Sequence, residues 1–218
     1  MRPDKDNRTR KLLAIEAAKI MVESGVKDFY TAKRKAAVRL GMPNTKHLPR
    51  NTEIEEALNE HLRLFKYSTQ PSRLKELRET TLRVMQLLES FNPHLVGPVL
   101  SGTADQYSEI NIHVFSDTPE DVARHLLEES IPFKITETRL NQSKGQAIRY
   151  PAYYFMAGET GIEITVFPVN GIRQAPLSPV DGKPMPRASM TDLDHLIRNH
   201  QTVLVESGAI NGDYTDTK

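Results

Sequence analysis

The sequence contains no cysteine, which excludes a disulfide framework, a thiolate metal site and a cysteine nucleophile. No apolar run approaches the roughly eighteen residues that a membrane-spanning helix requires. Internal repeats and low-complexity tracts are absent. So is a Gly-x-x-x-x-Gly-Lys phosphate loop, and Ser101-Gly102 does not form a nucleophile elbow. The apolar stretch Leu12–Ile15 is interrupted by Glu16 and Lys19 too early for a signal peptide. The expectation is a cytoplasmic protein with no membrane partner. What is present, 38% hydrophobic and 26% charged residues in 218, suits one globular domain with a small extra module.

The net charge of +1 conceals a split. Residues 1–50 hold 13 Lys/Arg against 5 Asp/Glu, a balance of +8, and the remainder carries −7. Such polarity fits nucleic-acid binding, and it fits equally a basic module docked on an acidic one.

Periodicity divides the chain at about residue 70. Before it, three amphipathic helices are expected. The first carries Leu13, Ala17, Ile20 and Met21 on one face and stops at Gly25. Thr31 is positioned to cap a second helix that runs to Leu40. Thr52-Glu-Ile-Glu55 fits a capping box for a third, with Ile54, Leu58, Leu62 and Phe65 on its face. The polar stretch 67–72 reads as a boundary, so 1–70 form a helical N-terminal module. A longer helix from Leu74 to Phe91 follows, ended by Asn92-Pro93.

From residue 94 the pattern becomes that of strands. Leu95–Leu100 is a short apolar run. Glu109–Phe115 alternates strictly, with Ile110, Ile112 and Val114 on one face and Glu109, Asn111 and His113 on the other. Thr118-Pro119-Glu-Asp predicts a capped helix carrying Val122, Leu126 and Leu127. Further strands are expected over 133–140, 148–156 and 162–167. A proline-braced loop over 168–188 contains five Pro and leads to a helix from Ser189 or Thr191 to about His200. The fold class is α+β: a mixed, mostly antiparallel sheet flanked by helices over 71–200, an all-α N-terminal module, and a polar tail over 201–218.

The segment Gly97-Pro98, Gly102-Thr103-Ala104 and Ser108-Glu109-Ile110-Asn111 resembles the signature of the nucleotidyltransferase superfamily of the DNA polymerase beta type, in its small bacterial form. That signature reads Gly-Ser, then Gly-Thr-Ala, then Ser-Asp-apolar-Asp on a strand, with a third carboxylate on a later strand where Glu163 stands here. The resemblance covers about residues 73–167 and implies a nucleotidyltransferase-like domain. It implies Glu109, Asn111 and Glu163 at the catalytic positions, Gly97, Gly102, Thr103 and Ser108 against phosphates, and Mg²⁺ on Glu109 and Glu163 if the protein is active.

The same chemistry shows where this chain departs. Phosphoryl transfer of this kind uses paired Mg²⁺ ions on charged oxygen ligands, and residues two apart on a strand can grip both. Pro98 removes the serine hydroxyl and a backbone N–H donor. Glu109 lengthens the first acid by a methylene, and Asn111 puts a neutral amide where an anion bridges metals. The resemblance therefore implies weak or lost transfer, with a nucleotide or phosphorylated ligand still bound.

Three other features carry candidate roles. Lys33, Arg34, Lys35 and Arg39 could make a cationic patch, and the alternative reading is a nucleic-acid-binding regulator working through it. Arg10–Met42 resembles the start of tetracycline-repressor-type DNA-binding domains. However, Gly41–Asn51 is far longer than a helix-turn-helix turn of about three or four residues, and Glu53, Glu55, Glu56 and Glu60 would face phosphates. His113 could be a metal ligand or base, although no second His is in register, and His195 and His200 do not share a helix face. The loop 168–188 could bring Arg173, Lys183 or Arg187 to an anionic ligand, or simply cover the sheet.

Overall fold

A computed structural model describes residues 3–65, 70–104, 107–142 and 145–209. Three helices come first: α1 (Pro3–Ser24), α2 (Phe29–Arg39) and α3 (Asn51–Phe65). Their inward faces are small and aliphatic. Leu13 and Ala17 of α1, Ala32 and Ala36 of α2 and Ile54 of α3 are fully buried in one cluster. The cap of α2 is Asp28, whose carboxylate accepts the Thr31 N–H at 2.7 Å, so the helix begins earlier than a Thr31 cap implies. The expected box at Thr52–Glu55 is displaced as well. Glu53 accepts the Arg50 N–H at 2.6 Å, which leaves Glu55 unused as a cap.

Residues 67–69 of the expected boundary lie outside the described residues, and α4 (Gln70–Leu87) begins within it. A 3-10 turn over Glu89–Phe91 and a left-handed Asn92 then lead into β1 (His94–Val96). After β1 come α5 (Pro98–Ser101), β2 (Ile110–Phe115), α6 (Pro119–Glu128), β3 (Lys134–Asn141), β4 (Ala147–Ala157), β5 (Thr160–Phe167) and α7 (Met190–Ala209). Thr118 precedes α6 but makes no side-chain cap; Ser116 Oγ takes the Thr118 N–H instead. Leu127, expected on the buried face with Val122 and Leu126, is exposed. Helix α7 continues through Ala209 and so enters the expected polar tail, of which residues 210–218 lie outside the described ones.

The five strands form one mixed sheet in the order β1-β2-β5-β4-β3. Strands β2 and β5 are parallel, and the other neighbours are antiparallel. Ile110, Ile112 and Val114 of β2 lie with Ile162, Ile164 and Val166 of β5 on one face. There they meet Leu77 and Met85 of α4, Val122 and Leu126 of α6, and Leu193 of α7. Full burial of each such side chain contributes about 1.5–3 kcal/mol, which makes this the main driving force of the domain.

The opposite face is polar at one end and aromatic at the other. Phe115, Tyr150 and Phe167 pack together, and the loop after β5 folds over them. That loop is pinned by short bridges, Leu95 with Ala188 and Asn141 with Leu177, and contains a 3-10 turn over Val169–Arg173. The polar end is left to the helical module.

Candidate ligand cleft

The polar end of the sheet begins at Gly97. Its backbone, φ 73° and ψ −151°, is open to glycine and turns the chain from β1 into α5. A Cβ at this position would lie 3.0 Å from Asn111 Nδ2, so the turn and the side chain of β2 are packed against each other. Pro98 occupies the first turn of α5, where a missing N–H removes no intrahelical bond. Ser101 and Thr103, just beyond, share a hydroxyl–hydroxyl hydrogen bond of 2.8 Å.

Asn111 and Glu163 are direct register partners across the parallel β2/β5 pair. Glu109 stands immediately before β2. Its Cγ passes over Gly161, where an added Cβ would come within 3.0 Å of it and also collide with the Tyr154 hydroxyl. Glu163 Oε1 accepts a hydrogen bond of 2.9 Å from Thr138 of β3. Glu109 Oε2 is 2.6 Å from the ammonium of Lys27, which belongs to the α1–α2 connection.

All three positions open onto one cavity of about 620 Å³ between the sheet and the helical module. Gly97, Thr103 and Ser108 line it too, whereas Gly102 does not and serves as the left-handed end of α5. The roof is apolar, formed by Met21, Val26, Phe29 and Leu58. The side wall comes from the loop after β5, through Ser178–Asp181, Met185 and Pro186. Asn51 of α3 donates to the Pro179 carbonyl and fastens module to loop.

Four carboxylates line the cleft: Glu55, Glu109, Glu163 and Asp181. Among the described residues the one cationic side chain on its wall is Lys27. Burial raises the carboxyl of Glu55 above its ordinary value, and the neighbouring charges of Asp181 and Glu56 add to the effect. Of the expected loop cations Arg173, Lys183 and Arg187, none lines the cleft. Lys183 lies 4.0 Å from Asp181, and Arg187 turns beneath the loop.

Arg187 instead braces the sheet. Its guanidinium stacks over Phe115 and Phe167 at 5.1 and 5.0 Å, and donates to His113 Nδ1 and to the Gly171 and Ile172 carbonyls. His113 is 3% exposed and pushed down to about 3 by burial, then by the Arg187 and His94 charges. It is a neutral acceptor for an arginine and does not line the cleft, so it serves there as neither base nor ligand.

Compared with protein-family models, curated proteins and solved structures, the chain has no match in any of the three. The cleft is therefore read from its own chemistry.

That chemistry does not fit the divalent metal of the nucleotidyltransferase signature. Octahedral Mg²⁺ takes charged oxygens. Here Asn111 is neutral, Glu109 is engaged by an ammonium, and Glu163 holds Thr138. Among the described residues no three His, Asp or Glu side chains converge as a metal group.

The nucleic-acid patch is partly spent internally. Arg39 lies 3.2 Å from Glu16 and 3.9 Å from Glu23, and Lys33 is half-buried beside Glu53. Arg34 and Lys35 remain exposed.

Sequence reasoning missed Lys27, Phe29, Glu55, Asp181 and Gly161. For Lys27, Phe29 and Glu55 no local pattern was available, because they reach the cleft through docking of the module, and Asp181 reaches it through the fold of the loop after β5. Gly161 had a signal in the Gly158-Glu-Thr-Gly161 turn, but it serves contact with Tyr154 and Glu109 rather than the turn itself.

Proposed function

We propose that this chain is a divergent nucleotidyltransferase-like protein whose cleft binds a nucleotide or other phosphorylated ligand without transferring a nucleotidyl group. The observation that carries the reading is the shared cleft. Gly97, Thr103, Ser108, Glu109, Asn111 and Glu163, chosen for their spacing, line one cavity of about 620 Å³. A volume of several hundred Å³ suits a ligand of this size. In this reading the phosphate end meets the hydroxyls of Ser101, Thr103 and Ser108, and the ring system lies against Phe29 and Leu58. The neutral amide of Asn111 is what removes the chemistry, since transfer needs anions on the metals that align the reacting groups.

Calorimetric titration with nucleoside triphosphates, with and without Mg²⁺ or Mn²⁺, tests this. The expected result is saturable heat with no released pyrophosphate. Absence of binding under every metal condition would overturn the reading.

The nucleic-acid alternative rests on the exposed Arg34 and Lys35. It requires salt-sensitive DNA or RNA binding that disappears when Lys33, Arg34 and Lys35 become Ala.

A further inference from the structure

In a protein whose acidic strand has lost a carboxylate, the remaining first acid still needs a positive charge beside it. Glu109 is only 30% exposed at its side chain, under the apolar roof of the cleft, and an isolated carboxylate there would lose much of its hydration. The chain supplies that charge from another module. Lys27 lies in the connection between α1 and α2, four residues long, which is closed at one end by left-handed Gly25 and at the other by the Asp28 cap of α2. Gly25 lies against the ring of Tyr107, where an added Cβ would be 3.5 Å from Cγ, so this connection is seated on the segment that leads into Glu109. The ammonium then reaches Oε2 of Glu109 at 2.6 Å.

We propose that Lys27 is the resident cation of the cleft, a protein ammonium in the place that a divalent ion takes on the first acid of the nucleotidyltransferase signature. This rests on the nucleotidyltransferase-like reading above. Two changes then exclude the metal, and they come from opposite sides of the cleft. Asn111 withdraws a ligand from the sheet, and Lys27 blocks one from the helical module. An ammonium and a divalent ion cannot share one carboxylate at contact distance without strong repulsion. The helical module is thus part of the site, and restoring the lost carboxylate alone does not recreate a metal centre.

The test counts bound Mn²⁺ by the loss of the free-ion paramagnetic resonance signal, using the full chain. Four proteins are compared: the wild type, Lys27→Ala, Asn111→Asp and the double variant. Lys27→Gln with Asn111→Asp is a second double variant that keeps most of the side chain's length without its charge. Lys27 is 60% exposed, and circular dichroism confirms that each variant is folded.

The expected result is little binding by wild type, Lys27→Ala or Asn111→Asp. Both double variants should bind about threefold to fivefold more tightly than Asn111→Asp, because removing the ammonium frees Glu109 for a second cation. Equal binding by Asn111→Asp and the double variants overturns the role of Lys27 and leaves the family reading standing. No binding by either double variant overturns both, because the carboxylates then fail to form the family's metal face.

Discussion

Asn111 and Glu163 sit side by side across the parallel β2/β5 pair, one neutral and one charged, on the face that the helical module covers. In the sequence they are separated by a helix and a hairpin. Pairing makes them neighbours, so the chemistry of either depends on what the other leaves available. Each relationship below has a measurable consequence.

Lys27 and Glu109 form a close but partly solvated pair, and exposed pairs of this kind stabilise proteins by only about 0–1 kcal/mol. Lys27→Ala should therefore shift the urea midpoint very little. A loss above about 2 kcal/mol would show that the pair holds the fold rather than the site.

Gly161→Ala should be disproportionately harmful. The new methyl meets the Tyr154 hydroxyl and the Cγ of Glu109, so both side chains must turn away from Gly161. Overpacking of this kind costs about 1–3 kcal/mol, and ligand affinity should fall with it. Thermal unfolding and nucleotide titration of the same variant check both parts.

Arg187→Ala should destabilise by about 2–4 kcal/mol, from lost stacking on Phe115 and Phe167 and lost bonds to two carbonyls and His113. Arg187→Lys should rescue little of this, because an ammonium cannot stack as a plane and donate sideways at once. Chemical denaturation of the two variants decides it; full rescue by Lys would show that charge alone matters.

His113 makes stability depend on pH in a known direction. Its folded value is about 3 against an ordinary 6.5, so between those values the unfolded chain holds a proton that the folded chain does not. The contribution is fully present above about 6.5 and is lost as pH falls toward 3, by up to about 1.4 kcal/mol per pH unit. His113→Asn keeps an acceptor for Arg187 and removes the titration. Urea unfolding from pH 7.5 to 4.5 should be less steep for the variant than for the wild type. Identical slopes would refute the assignment.

The sheet face that drives folding was legible in the sequence, and the face that lines the cleft was legible only in part. The alternation of Ile110, Ile112 and Val114 placed a strand because burial on one side imposes a period of two. The same alternation pointed Asn111 and His113 outward, yet His113 is covered as completely as its apolar neighbours. Nothing local announces that cover, since it comes from Arg187 and Phe167 far along the chain. Capping signals failed in a similar way. Thr31, Thr52 and Thr118 all had suitable side chains, but Asp28, Glu53 and Ser116 made the bonds. Several polar groups compete at each helix start, and the folded backbone decides which of them bonds. Lys27 belongs to a third kind of miss, in which an unremarkable loop lysine gains its role when two modules dock.

The two large hydrophobic clusters have no residue in common: one lies inside α1–α3, the other behind the sheet. The cleft is thus roofed by one core and floored by another, joined by contacts such as Lys27 with Glu109 and Asn51 with Pro179. Two cores that share no side chain are not obliged to melt together. A cleft built between them needs both cores folded at once, and its geometry is lost with whichever melts first.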